Sequence, residues 1–503
     1  MGTWVKKLLA ATVLAVPVFA QTHSESITVE VVDVPVYVYN AHGALQNLKK
    51  DDFELYVNGK PQAIDYFDAI DFRAPAKSET APAPTAPPRD IRDRRLFLLM
   101  IDCAFTRPAA IERARNAAAA MIDASLPTDY FSVGTFTSKN GAQLIVPFTN
   151  DHLVAKRAAL TLKASSVRDP LAITISNTER ENAMTMAILN DDRGGDPNDA
   201  AARGMIGGAA GDNSAMPLIR LMQDQLTDFT EIANRLASFQ GYKHVIVLSQ
   251  GFSPGATYRE NGLMEQIKSM ARAFRRAGAV VDAVDVSGIS GNFRDDASYR
   301  DPLANDVLHV FAGETGGQFV EHANDVGAAL NRISSDSAVG YRLGFHMPKD
   351  AKKGDNTIDV KVRNVPSGTT LSFRRGFSTV INKPSTRDDL LLADIIINDV
   401  PQTGLAPAIR FVEKPNVEVW IPAQKLLALN NGAAVNADIL FYIFDAKGAV
   451  VDFKGKKLVI PSDAKQDIAL RDVVRLPPGS YVAKALLRAG DSLGFVKQEF
   501  VLR

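Results

Sequence analysis

The sequence predicts an α/β fold, a doubly wound and mostly parallel sheet, flanked by an N-terminal β unit and a C-terminal β-sandwich. Three observations predict it. The run Leu96 to Ile101 is apolar at every position and ends abruptly at Asp102. A second run, His244 to Leu248, ends likewise in Ser249-Gln250-Gly251. Strands apolar on both faces belong inside a parallel sheet covered by helices, and such sheets bind ligands at the carboxyl ends of their strands. Around these runs strand and helix periods alternate, whereas the outer parts of the chain keep the two-residue period of half-buried strands.

The chain has 503 residues, too many for one core, so several cores in series are expected. Its first residues read Lys6-Lys7, an apolar run from Leu8 to Phe19, then Ala20 before Gln21. This is the pattern of a secretory signal over residues 1–20. Roughly 13 apolar residues fall short of the ~20 that span a bilayer, so no transmembrane anchor is expected after signal removal. The expected location is secreted or periplasmic.

Lys plus Arg and Asp plus Glu both number 57. Removal of Lys6 and Lys7 leaves about −2, so no global field draws the chain to nucleic acid, and a nucleic-acid partner is not expected. Cys103 is the sole cysteine, which rules out an internal disulfide framework. A small thiol just after a core strand reads as a buried apolar group.

Taken in order, residues 21–73 read as a β unit. Ile27, Val29 and Val31, then Val34, Val36 and Val38, alternate, and Phe53, Leu55 and Val57 lead into the hairpin signal Asn58-Gly59. Residues 74–93 open with a Pro/Ala-rich stretch too poor in apolar residues to pack, and read as a linker. From 94 to 336 the α/β rhythm holds. After Asp102, Pro108 opens a helix with Ile111, Ala114, Ala118 and Met121 on one face. Phe131–Phe136 and Leu144–Phe148 form a strand pair, and Asn150-Asp151 starts another helix.

Residues 164–216 break the rhythm and read as an insertion. Its acidic run Asp191 to Asp199 lacks the ligand spacing of a calcium loop and reads as a solvated segment. The rhythm resumes with a helix carrying Leu218, Met222, Phe229, Ile232 and Leu236, then the strand ending at Leu248. A helix with Leu263, Ile267, Met270 and Phe274, a strand Ala279–Val286, a helix around Leu303 to Phe311, a short strand at Gln318–Val320 and a helix with Val326, Leu330 and Ile333 complete it. Residues 337–380 read as a β extension, and 386–503 as a strand-rich sandwich divided by turns at Asp445-Ala446-Lys447-Gly448 and Pro477-Pro478-Gly479.

Two common hydrolase signatures are missing: there is no His-Glu-x-x-His and no phosphate-binding Gly-x-x-x-x-Gly-Lys-Ser/Thr loop. In spacing, Asp102-x-Ala104-x-Thr106 resembles the Asp-x-Ser-x-Ser motif that opens the metal site of von Willebrand factor A domains. Residues 94–336 resemble that domain. The hairpin Asp52-Phe53-Glu54-Leu55-Tyr56-Val57-Asn58-Gly59-Lys60-Pro61, the strand Tyr341-Arg342-Leu343-Gly344-Phe345 and the later Arg375-Gly376-Phe377 extend the resemblance to A-domain proteins of the acidobacterial type over about residues 27–378.

The resemblance implies a magnesium or manganese site built from three loops, completed by a carboxylate of a partner. Here Asp102 and Thr106 match its first loop, while Ala104 offers no oxygen. In the third loop Ser249-Gln250-Gly251 puts a neutral amide where the family has an aspartate. Thr227 is the nearest candidate for the second-loop threonine, and it is not carried over. The metal site therefore reads as degenerate and no cofactor is expected: Asp102 and Thr106 are what remains of a Mg2+ ligand set, Asp102 otherwise acts as a helix cap or loop anchor, and Ser249 and Gln250 are candidates for a binding face.

The expected function is an exported, non-enzymatic protein-binding or adhesion module whose partner is a protein or a cell-surface polymer. An exported hydrolase with an unrecognised site and a structural envelope component stay open as alternatives.

Overall fold

The computed structural model describes residues 31–73, 91–162, 215–251, 262–288, 304–348, 351–379, 389–411 and 416–503. The expected signal, the proline-rich stretch 74–90 and the insertion up to residue 214 lie outside the described residues.

The first described unit contains β1 (Val31–Asn40), β2 (Gly43–Ala44), β3 (Phe53–Val57), β4 (Lys60–Gln62) and β5 (Tyr66–Asp71). The β3–β4 hairpin turns at Asn58-Gly59, with φ of 52° and 77°, the left-handed pair that a tight two-residue turn demands.

The α/β unit follows as β6 (Arg95–Asp102), α1 (Pro108–Ala124), β7 (Asp129–Thr137), β8 (Gly141–Thr149), α2 (His152–Thr161), α3 (Ala215–Leu236), β9 (Tyr242–Ser249), α4 (Leu263–Arg276), β10 (Ala279–Asp285), α5 (Ala304–Thr315), β11 (Phe319–Val320) and α6 (Val326–Asp336). Its strands form one six-stranded sheet, ordered β11-β10-β9-β6-β7-β8. All neighbours are parallel except β8, which runs antiparallel to β7 at the edge.

The apolar run in β6 is buried throughout. Leu96, Leu98 and Met100 face the core formed with α3, α4 and α5. Phe97, Leu99 and Ile101 face the opposite core, against α1, α2 and α6. A strand covered on both sides has no polar face to alternate with, which explains the continuous run.

Four strands complete the outer unit: β12 (Val339–His346), β13 (Asp355–Val362), β14 (Thr370–Phe373) and β15 (Gly376–Ser378). Sequence analysis separates residues 21–73 from 337–380, and the structure joins them. β12 lies between β1 and β5, β14 pairs with β1, and β13 pairs with β3. The resulting sheets, β14-β1-β12-β5 and β15-β13-β3-β4, enclose one core of Val34, Val36, Leu55, Tyr341, Phe345 and Ile358 among others. β1 and β5 meet only through β12, and β13 and β14 find partners in β3 and β1, so the α/β unit is an insertion within a single β-sandwich. Gly316, at φ 88°, lets the end of α5 approach this sandwich: a Cβ there would collide with the Phe373 carbonyl.

The last unit contains α7 (Asp389–Asn398), β16 (Ala408–Phe411), β17 (Asn416–Ile421), α8 (Ala423–Leu429), β18 (Val435–Asp445), β19 (Val450–Ile460), β20 (Ile468–Val473), β21 (Gly479–Ala489) and β22 (Ser492–Leu502). A three-stranded sheet, β16-β17-β20, packs on a four-stranded one, β19-β18-β21-β22. The sequence after residue 386 reads as a strand-rich sandwich with no helix singled out, whereas α7 opens the region. Leu392, Ile395 and Ile396 of α7 pack on Tyr442, Phe444 and Leu486, while Leu390 joins the α/β core. A helix covered on both sides is apolar nearly all round, so its amphipathic signal vanishes. Two polar links fix it. Arg94 makes a buried bidentate pair with Asp394, at 2.9 and 3.1 Å, and Asn398 donates to the Phe148 carbonyl at 2.9 Å.

Candidate functional site

The chain runs outward from β6 through β7 to β8, then crosses back to place β9 on the other side of β6. The carboxyl ends of β6 and β9 thus flank the topological switch point, where ligands bind in open α/β sheets. Ile101 is in register with Leu248, so the next residues, Asp102 and Ser249, face one another across the crevice.

The structure brings Asp102, Thr106, Ser249 and Gln250 into one hydrogen-bonded cluster. Asp102 is 1% exposed. Its Oδ1 accepts from the backbone N–H groups of Ala104 and Phe105, both at 3.0 Å, and its Oδ2 accepts from Ser249 Oγ at 2.6 Å. Ser249 Oγ also accepts from the Gly251 N–H at 3.0 Å. The two loops are stitched a second time. The Gln250 N–H donates to Thr106 Oγ1 at 3.3 Å, and Gln250 Oε1 accepts from the Arg107 N–H at 2.7 Å. Arg107 is the N-cap of α1 and offers no side-chain cap, so Gln250 satisfies a helix-entry donor from outside the helix.

A participant missed by sequence analysis is Gln225. Its side chain hydrogen-bonds Asp102 from α3, and it is 3% exposed. Its signal was in the helical spacing: Leu218, Met222, Gln225, Phe229, Ile232 and Leu236 share one face, and a polar residue in such a stripe needs a buried partner. Thr227 points elsewhere, exposed and donating to the Gln223 carbonyl of its own helix at 2.8 Å.

Burial pushes the Asp102 carboxyl above the ordinary aspartate range, opposed by the hydrogen bonds from Ser249, Phe105, Ala104 and Gln225. A hard divalent cation needs several oxygens, anionic ones among them, to replace its water. This cluster has one carboxylate, both of whose oxygens already accept protein donors, two hydroxyls and the two amides of Gln225 and Gln250. The residues present therefore do not fit a magnesium site. Among the described residues no group of three or more His, Cys, Asp or Glu side chains could hold a metal ion. Cys103 is buried beside the cluster, and Thr135 Oγ1 donates to its Sγ at 3.2 Å.

One strand further along the same sheet edge, Asp285, Ser287 and His322 meet. Asp285 Oδ2 lies 2.8 Å from His322 Nδ1 and accepts from Ser287 Oγ at 2.9 Å. Ser287 Oγ lies 3.3 Å from the same Nδ1. A hydrolytic relay needs the serine on one ring nitrogen and the acid on the other, so this trio lacks the geometry of a charge-coupled nucleophile.

No family model and no curated protein matches the sequence. Among solved structures, the chain is similar to a von Willebrand factor type A protein from Catenulispora acidiphila, with 14% identity over 59% of this chain and 69% of that one, at a TM-score of 0.28. It is also similar to an aerotolerance-related membrane protein from Bacteroides fragilis, with 13% identity over 48% and 98% of the two chains at 0.25. A pilus adhesin, SpaC, from Lactobacillus rhamnosus GG gives 9% identity over 83% and 54% at 0.28. These scores are low, and the topology and site geometry rest on the chain's own residues. No helix among the described residues is long and apolar enough to cross a membrane.

Proposed function

We propose that the chain is an exported, non-enzymatic binding module of the von Willebrand A type whose switch-point face recognises a protein or surface polymer without a bridging metal. One observation carries this reading: the carboxylate at the switch point is consumed internally by Ala104, Phe105, Ser249 and Gln225. What the crevice offers outward is a fixed rim in which Arg107, Pro108 and Ala109 are exposed beside Gln250. A rim held by two cross-loop ties is preorganised, which lowers the cost of association. The arginine and the neutral amide can hydrogen-bond a polar partner directly.

The test is retention of a partner from the native envelope fraction by immobilised full chain. Retention that survives a chelator and is lost in Arg107→Glu supports the reading. Retention abolished by the chelator, or turnover of ester, peptide or glycoside substrates by the purified chain, overturns it.

A further inference from the structure

The Asp285–His322 pair lies outside the switch-point cluster, and its geometry has a different use. Asp285 is the last residue of β10, with a side chain 1% exposed. It clamps His322 twice. Oδ2 lies 2.8 Å from Nδ1 of the ring and accepts the His322 backbone N–H at 3.2 Å. Asp285 also takes the Ser287 N–H on Oδ1 at 2.8 Å. The clamp holds His322 at φ 45°, a left-handed conformation that is costly for a residue with a side chain.

In a neutral imidazole whose Nδ1–H donates to a carboxylate, the lone pair is left on Nε2. That arrangement is the outer-shell pattern of metal-binding histidines, in which the far nitrogen is held by a carboxylate and the near one ligates. In this chain Nε2 lies 3.6 Å from Glu321 Oε1, and both side chains are open to solvent, at 50% and 60% exposure. Two donors around one tetrahedral zinc, at bond lengths near 2.0 to 2.2 Å, sit roughly 3.3 to 3.5 Å apart. The pair is thus spaced close to the bite of a shared ion.

We infer that His322 Nε2 and Glu321 Oε1 form a two-donor, solvent-open site for a borderline transition-metal cation such as Zn2+ or Cu2+, with Asp285 as its outer-shell anchor and water in the remaining positions. Imidazole with one carboxylate selects these ions over magnesium. With two protein ligands the site is a weak one.

A built-in comparison exists. His346 also holds a carboxylate on Nδ1, Asp65 Oδ2 at 2.7 Å, but its Nε2 faces the Tyr66 hydroxyl at 3.4 Å rather than a second carboxylate.

The experiment titrates the full chain with Zn2+, and separately with Mg2+, by calorimetry in a non-coordinating buffer. Folding of each variant is checked by circular dichroism. His322→Asn is the substitution of choice because asparagine tolerates the left-handed backbone, and Glu321→Gln removes only an exposed charge. Binding of one Zn2+ per chain, weakened at least tenfold in His322→Asn and severalfold in Glu321→Gln, unchanged in His346→Asn, with no comparable Mg2+ binding, supports the site. Absence of Zn2+ binding at millimolar concentration, affinity in both site variants unchanged from that of the unmodified chain, or loss of binding in His346→Asn instead, overturns it.

Discussion

Ser249 Oγ donates to Asp102 Oδ2 at 2.6 Å across the crevice between β9 and β6, closing the switch point of the sheet with the chain's own hydrogen bond. Ser249→Ala removes a donor from a buried carboxylate, which costs about 1–3 kcal/mol. Chemical denaturation should register that loss. A change below about 0.5 kcal/mol would show that Gln225 and the backbone donors carry Asp102 without Ser249.

Asp102 also predicts a pH dependence. Its folded pKa is raised by burial, so the folded chain holds this proton to higher pH than the unfolded chain does. Relative stability is therefore fullest below the unfolded value of 3.8 and declines as pH rises through the raised folded value. In Asp102→Asn that decline is absent, so the stability difference between variant and wild type should move in the variant's favour as pH increases from acid toward neutral. A difference independent of pH sinks the assignment.

Lys243 gives the opposite slope. It is 8% exposed, donates to the Leu236 and Phe239 carbonyls at 3.2 and 2.7 Å, and its pKa is lowered by burial, and further by Arg374 and Arg94, from 10.5 to about 7. The unfolded chain binds this proton more tightly, so stability rises with pH between about 7 and 10.5. Lys243→Met should flatten that rise in urea-midpoint measurements made across the window.

Magnesium should have little effect on the wild-type chain, since Asp102 is already engaged. We expect 10 mM Mg2+ to shift the thermal midpoint by less than about 1 °C. Ala104→Ser with Gln250→Asp restores a hydroxyl and a carboxylate, and should raise magnesium affinity in calorimetry. Micromolar affinity in the wild type, lost in Asp102→Ala, contradicts the degenerate site.

Arg94 and Asp394 are 4% and 2% exposed in their side chains. Arg94→Leu strands a buried charge on α7 and should cost about 3–5 kcal/mol, whereas Arg94→Met with Asp394→Leu should recover most of it. A double-mutant cycle by denaturation measures the difference.

Much of the α/β unit was legible because a strand buried on both faces leaves an unbroken apolar run, and Leu96–Ile101 and Val245–Leu248 are such runs. Asp102, Thr106, Ser249 and Gln250 were legible as strand-end residues, because the switch point is fixed by topology. Gln225 was hidden because its partner lies more than a hundred positions away, and a polar residue in an apolar stripe names no partner. The helix α7 was hidden because Leu390–Ile397 is buried from several sides. The joined sandwich was hidden because alternation in β1 and in β12 says that each needs a neighbour, but not that each is the other's.

That interruption governs the order in which the chain can become ordered. Val339 pairs with Asp71 on the neighbouring strand, about 270 positions away, so zipping β12 against β5 closes a very long loop. While the intervening segment is unfolded, its entropy opposes this pairing. Once the α/β unit has condensed, β6 and α6 hold the two flanks near each other and the same pairing becomes local. The outer sandwich, though it begins first in sequence, is the part whose completion waits on the interior of the chain.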